Sequence, residues 1–273
     1  MSLARPAIIY RVTAATLLLG LLVAGLIERP SSHVASETDG SSAESPLMVY
    51  CAASNRGVME AVRADYEKEF GIPVQVQYGA SQTLLASLEV SKSGDLYLPA
   101  DDSFLAAARE RRLIDDEFAL ADMKAVVAVP QGNPKQIAKL DDLLRDDVRV
   151  AQGSPEATAI GKVTKAALEA TSEWQTLSQH TTVFKTTVNE VANDVKLGAV
   201  DAGIVYAPVL HDYDTLEGIS APELASIQSR VAVALLKSST RPRAAVHFAR
   251  YLSARDRGLV RYQEFGFEPV EGD

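Results

Sequence analysis

A single cysteine in 273 residues leaves no partner for an internal disulfide. Cys51 sits in the strand-like run Leu47-Met48-Val49-Tyr50-Cys51-Ala52, where a buried thiol is expected. The bulky Val49 and Tyr50 before it argue against a lipid-modified cysteine. Aromatic residues make up only 6% of the chain, with Trp174 the sole tryptophan, too few for a sugar-binding cleft. The acidic pairs Asp101-Asp102, Asp115-Asp116, Asp141-Asp142 and Asp146-Asp147 are therefore not read as a glycosidase acid and base. Most of them fall near expected helix starts, where carboxylates favour the dipole. The four histidines, His33, His180, His211 and His247, lie far apart and lack ligand spacing, which argues against a metal site. No phosphate-binding Gly-x-x-x-x-Gly-Lys loop, zinc-binding His-Glu-x-x-His helix, Gly-x-Ser-x-Gly elbow or Cys-x-x-Cys pair occurs. The formal charge of −9 and a pI near 5.1, without long basic runs or aromatic-basic interleaving, argue against a nucleic-acid or acidic-membrane partner.

An apolar run, Val12 to Ile27, follows Arg5 and Arg11 and reads as an export segment. Residues 1–27 are thus expected to be a signal peptide or an N-terminal membrane anchor, with cleavage and retention both open. Residues 28–46, rich in Ser, Glu, Asp, Thr and Gly, read as a flexible linker. If the anchor stays, such a coil spans roughly 25 Å and tethers the rest beside the membrane.

With 47% apolar residues, the remainder can fill two ordinary α/β cores. After Pro46, strand and helix alternate. The strand Leu47 to Ala53 precedes a helix with Val58, Val62, Tyr66 and Phe70 on one face, and Gly71-Ile72-Pro73 breaks it. The strand Val74 to Tyr78, a helix from Ser81, the strand Asp95 to Leu98 and a helix from Ser103 to about Arg112 follow. Ala125 to Pro130 is a continuous apolar strand and the expected first crossing between lobes. The second series runs through the helices Leu140 to Arg145 and Ala157 to Ala170 and the strands Val148 to Ala151 and Thr182 to Phe184. It ends with the helix Val188 to Leu197 and the strand Asp201 to Tyr206. Ile227 to Leu236 is the expected return strand, with helices around Arg243 to Leu252 and Ala254 to Phe265 behind it. Lobe 1 is accordingly 47–125 with 235–273, and lobe 2 is 126–234. Two crossings at mid-chain suit a hinged cleft with the ligand between lobes.

The stretch Val76-Gln77-Tyr78-Gly79-Ala80-Ser81-Gln82-Thr83-Leu84-Leu85 organises this scheme. It reads as strand, glycine turn and helix start, with Ser81 at the N-cap position. Unpaired N–H groups, the helix dipole and a serine hydroxyl together attract an anion without a cationic side chain. One such junction is ordinary capping. Similar junctions recur at Ala52-Ala53-Ser54-Asn55, Gly153-Ser154-Pro155-Glu156 and Thr187-Val188-Asn189-Glu190-Val191, and the set carries the argument.

These motifs, with Gly94-Asp95-Leu96-Tyr97-Leu98-Pro99-Ala100-Asp101, Gly198-Ala199-Val200-Asp201-Ala202-Gly203-Ile204-Val205-Tyr206 and Tyr262-Gln263-Glu264-Phe265-Gly266-Phe267, occur in an order that resembles the periplasmic molybdate-binding proteins. The resemblance covers nearly everything after the linker. It implies a two-lobed α/β periplasmic-binding-protein fold of type II, with mixed and parallel sheets flanked by helices. It also implies capture of molybdate or tungstate for an ABC transporter permease, outside the cytoplasm, by a monomer that is not an enzyme and needs no cofactor. Carried over residue by residue, it implies hydroxyl contacts from Ser54, Ser81 and Tyr206, and N–H contacts at the two serines, Ile160 and Val191. Molybdenum would enter only as the bound oxyanion, through those residues.

Two departures bear on the ligand. Ile160 is bulkier than the small residue usual at its position, and Asn55-Arg56 follows Ser54 where the family has Leu-Thr. A receptor for sulfate or phosphate, and a membrane-tethered anion sensor, are the alternatives. A serine hydrolase would require an imidazole beside Ser54 or Ser81.

Overall fold

The computed structural model describes residues 45–271, so the expected export segment and nearly all of the linker lie outside the described residues. Two sheets share one strand, and the order β2-β1-β3-β9-β4-β7-β5-β6 runs through both.

The first sheet is built from β1 (Leu47–Ala52), β2 (Val74–Gly79) and β3 (Leu96–Leu98), which pair in parallel, with helices between them. A short 3-10 turn (Ala53–Asn55) leads from β1 into α1 (Arg56–Phe70), and α2 (Ser81–Ser91) links β2 to β3. α3 (Asp102–Glu110) follows β3. The core face of α1 carries Val58, Met59, Val62 and Tyr66. Phe70, expected on that face, is 40% exposed, because the helix ends there on Gly71 at φ 70°, a conformation that glycine adopts without a Cβ penalty.

β4 (Ile114–Pro130) begins well before the expected Ala125. Register shifts between Ile114 and Glu117 and between Ala119 and Ala121 break the alternation that would have revealed it. Asp115 and Asp116 consequently stand in a strand, not at a helix start. From Ile114 to Lys124 this strand pairs antiparallel with β9 (Gln228–Leu236), and from Ala125 onward it pairs with the second sheet. The crossing therefore falls inside β4.

The second sheet contains β5 (Val150–Gly153), β6 (Val183–Lys185) and β7 (Ala202–Tyr206), with β8 (Leu216–Ile219) on the other run of β4. α4 (Ala159–Glu169), α5 (Glu173–His180) and α6 (Val188–Lys196) cover it, and α5 was not expected. α6 buries Val188, Val191, Ala192 and Val195, the i, i+3, i+4, i+7 stripe legible in the sequence.

β9 pairs with β3 and β4 of the first sheet from Gln228 to Leu236. The expected boundary at residue 235 thus falls within a strand whose hydrogen bonds already belong to the first half. α7 (Pro242–Ser253), α8 (Gly258–Glu264) and β10 (Glu268–Pro269) complete that half. Among the described residues, no helix is long and apolar enough to cross a membrane.

A donor-lined cavity between the two halves

Four helix starts meet at one cavity. The first half contributes Ala52, Ala53 and Ser54 after β1, Gly79, Ala80 and Ser81 at the start of α2, and Ala100. The second contributes Thr158, Ala159 and Ile160 at the start of α4, Thr187 and Val188 at the start of α6, and Tyr206 at the end of β7. About 20 Å³ is open to the centre of a water molecule, a space for a small ligand. No charged side chain lines it.

Ser81 is the first residue of α2, one place beyond the expected cap, and Ala80 is the N-cap without a side-chain bond. The Ser81 hydroxyl instead accepts the Ala100 N–H at 3.1 Å, while the Tyr97 hydroxyl donates to the Ser81 carbonyl at 2.8 Å. With its oxygen occupied as acceptor, Ser81 keeps its hydroxyl hydrogen for the cavity. Ser54 behaves alike, since its Oγ accepts Nδ2 of the fully buried Asn55 at 3.3 Å. Oδ1 of Asn55 has no partner.

Ile160 occupies the second position of α4, within the turn whose N–H groups lack intrahelical acceptors. α4 starts at Ala159 and not at Ala157, because Thr158 caps it: Oγ1 accepts the Gly161 N–H at 2.9 Å and donates to the Ser154 carbonyl at 2.9 Å. A Cβ on Gly153 would lie 2.8 Å from Cγ2 of Ile160, so part of the side chain's bulk is taken up over that glycine.

Val191 does not line the cavity. It is the fourth residue of α6, its N–H already bonds the Thr187 carbonyl at 3.4 Å, and its side chain packs in the core against Gly203. Thr187 and Val188 take its place at the cavity wall. The Thr187-x-x-Glu190 spacing marks a capping box, and that signal fixes the helix start the contact needs.

Tyr206 is 1% exposed, and its hydroxyl lies 2.7 Å from Oγ of Ser229, a β9 residue that the sequence did not single out. Burial pushes the phenol well above its ordinary value, with the Ser229 bond opposing only in part, so it stays a protonated donor. The described histidines are occupied elsewhere: His180 with the Arg145 carbonyl, His247 with Tyr66 and His211 beside Asp212. None of these lines the cavity.

The fold is that of a two-lobed binding protein, and both halves wall the cavity. The chain belongs to the bacterial extracellular solute-binding protein family, whose model matches residues 47–268. It is 26% identical over 241 residues to the molybdate-binding protein ModA of Mycobacterium tuberculosis, covering 86% of this chain and 89% of that one. Among solved structures, it is similar to the periplasmic molybdate-binding protein of Azotobacter vinelandii, with a TM-score of 0.71, 16% identity and coverage of 81% and 98%. The sulfate-binding protein SubI of Mycobacterium tuberculosis shares the fold equally, with a TM-score of 0.71, 20% identity and coverage of 83% and 88%.

Proposed function

We propose that the protein is an extracytoplasmic receptor that closes on molybdate or tungstate and presents it, as a monomer, to an ABC transporter permease. It performs no reaction and uses no resident cofactor. The observation that carries this reading is the convergence of helix starts, with Ser54, Ser81 and Tyr206, from both halves on a cavity without a charged wall. A fully deprotonated dianion can only accept hydrogen bonds, so a cage of donors suits it. A carboxylate in the wall would repel it and would favour a protonated phosphate. Charge-assisted bonds in a dry chamber supply affinity, and closure supplies selectivity by size.

The relative named for molybdate supports the choice of ion, and the matched family supports the transport role. Calorimetric titration of the purified protein with molybdate, tungstate, sulfate and phosphate in one buffer tests it. Tight one-to-one binding of the first two, with no heat from the others, is expected. Tight binding of sulfate alone would move the assignment to the sulfate alternative, and silence from all four would overturn the oxyanion reading.

A further inference from the structure

The inner cavity adjoins a larger vestibule of about 500 Å³, with Ala53, Gly79 and Thr187 in the walls of both. Here the first cations appear. Arg56, exposed at the start of α1, lies over the Tyr78 ring at 4.0 Å, and the Tyr78 hydroxyl is anchored on Glu60 at 2.7 Å. Lys196, at the end of α6 in the other half, lies 5.7 Å from the centre of the Tyr213 ring. Tyr213 donates to the Asn189 carbonyl at 3.2 Å. Among the described residues, neither cation has a carboxylate within ion-pair distance.

The two carboxylates in the vestibule wall stand at helix starts. Glu190 accepts the N–H groups of Thr186 and Thr187, both at 3.0 Å. Asp212 presses on the first turn of α1, where a Cβ on Gly57 would meet its Oδ1 at 2.7 Å. Both face positive helix ends, which offsets their charge. Arg56 is placed the opposite way: a cation at a helix N-terminus works against the dipole, and α1 has no acid in its first turn. A local rule broken beside a binding cavity points to a use for that charge.

The geometry points to an outer anion subsite, formed by Arg56 and Lys196 from opposite halves, which captures the oxyanion before it enters the uncharged inner cavity. This rests on the oxyanion reading above. A protein of charge −9 repels its ligand at long range, and a local pair of cations at the mouth reverses that field where it sets the encounter rate. The inner site then needs no cation, and its donors remain free to select by size.

The test compares the full chain with Arg56→Gln/Lys196→Gln and with Lys92→Gln/Arg112→Gln. The second pair removes the same charge beside a separate depression at the opposite end of α2. Association and dissociation rates of radiolabelled molybdate are measured at low salt and at about 0.5 M salt. The vestibule pair should slow association by about five- to tenfold at low salt and much less at high salt, with a smaller change in dissociation. The far pair should leave association unchanged. Equal slowing by both pairs, or an unaltered association rate in the vestibule pair, overturns the subsite. The Arg56 Nε–H resonance gives a readout independent of the inner cavity. It should shift with millimolar molybdate in wild type and in Ser81→Ala alike, and its indifference in both would also refute the subsite.

Discussion

The hydroxyl of Tyr206 meets that of Ser229 at 2.7 Å, and this buried contact crosses from the second sheet to the first. Both residues flank β4 close to its crossing point: Tyr206 is paired with Ala125 and Ser229 with Met123. When Ser229 donates to the phenol oxygen, the phenol hydrogen is left for the cavity, and one bond both orients a ligand donor and joins the two halves.

Ser229→Ala should therefore weaken molybdate binding although Ser229 does not line the cavity. The expected loss is about 1 kcal/mol, with a larger loss for Tyr206→Phe, and the double variant should fall short of the sum. Titration calorimetry on the four proteins completes the cycle. Full additivity would show that the serine does not act through the tyrosine.

Ser54→Ala and Ser81→Ala should each weaken binding by about 1.5–3 kcal/mol, as for hydrogen bonds to a charged group. Both should also lose stability. Ser81 accepts the buried Ala100 N–H and Ser54 accepts Nδ2 of the buried Asn55, so each loss strands a donor and should lower unfolding free energy by ~1–3 kcal/mol. Urea unfolding without ligand separates the two effects. Unchanged affinity in both variants would remove the serines from the site.

How legible the site was depends on how local each signal is. The turns at Ser54 and Ser81 and the strand end at Tyr206 announce themselves within a few residues. Val191 was placed one turn too deep, because only the first turn of a helix offers unpaired N–H groups and the start of α6 depends on a capping box at Thr187. Ser229 had no local signal, since its partner is 23 residues away and meets it only through the shared pairing on β4. The early part of β4 was hidden by its register shifts, and the first-sheet membership of β9 is a matter of pairing that hydrophobicity does not encode.

Lys162 joins the two halves through an exposed contact. From the first turn of α4 it donates to Oγ of Ser103 on α3 at 2.8 Å and lies 5.0 Å from the Phe104 ring centre. The contact is exposed and touches no cavity residue's polar atom. Lys162→Ala should speed ligand dissociation by about two- to fivefold, in keeping with ~1 kcal/mol or less for an exposed contact, and should leave association nearly unchanged. A variant that dissociates at the wild-type rate would show that the contact contributes nothing to the closed state.

The buried hydroxyls also set an alkaline limit. Burial raises the Tyr97, Tyr206 and Tyr262 phenols and the Cys51 thiol above their ordinary values, so the folded protein keeps protons that the unfolded chain releases. For groups raised in this way, stability is fully present below the unfolded pKa and falls as pH rises through and beyond it. The window opens near pH 9 for the thiol and near pH 10 for the phenols, and each locked group removes up to ~1.4 kcal/mol per pH unit above its unfolded value. Urea midpoints should hold steady up to about pH 8 and drop sharply by about pH 10.5. Cys51→Ala should delay the onset without abolishing the fall, since the three tyrosines remain. Equal midpoints at both ends of that range would mean that these groups titrate in the folded state, and that Tyr206 is not held as a neutral donor.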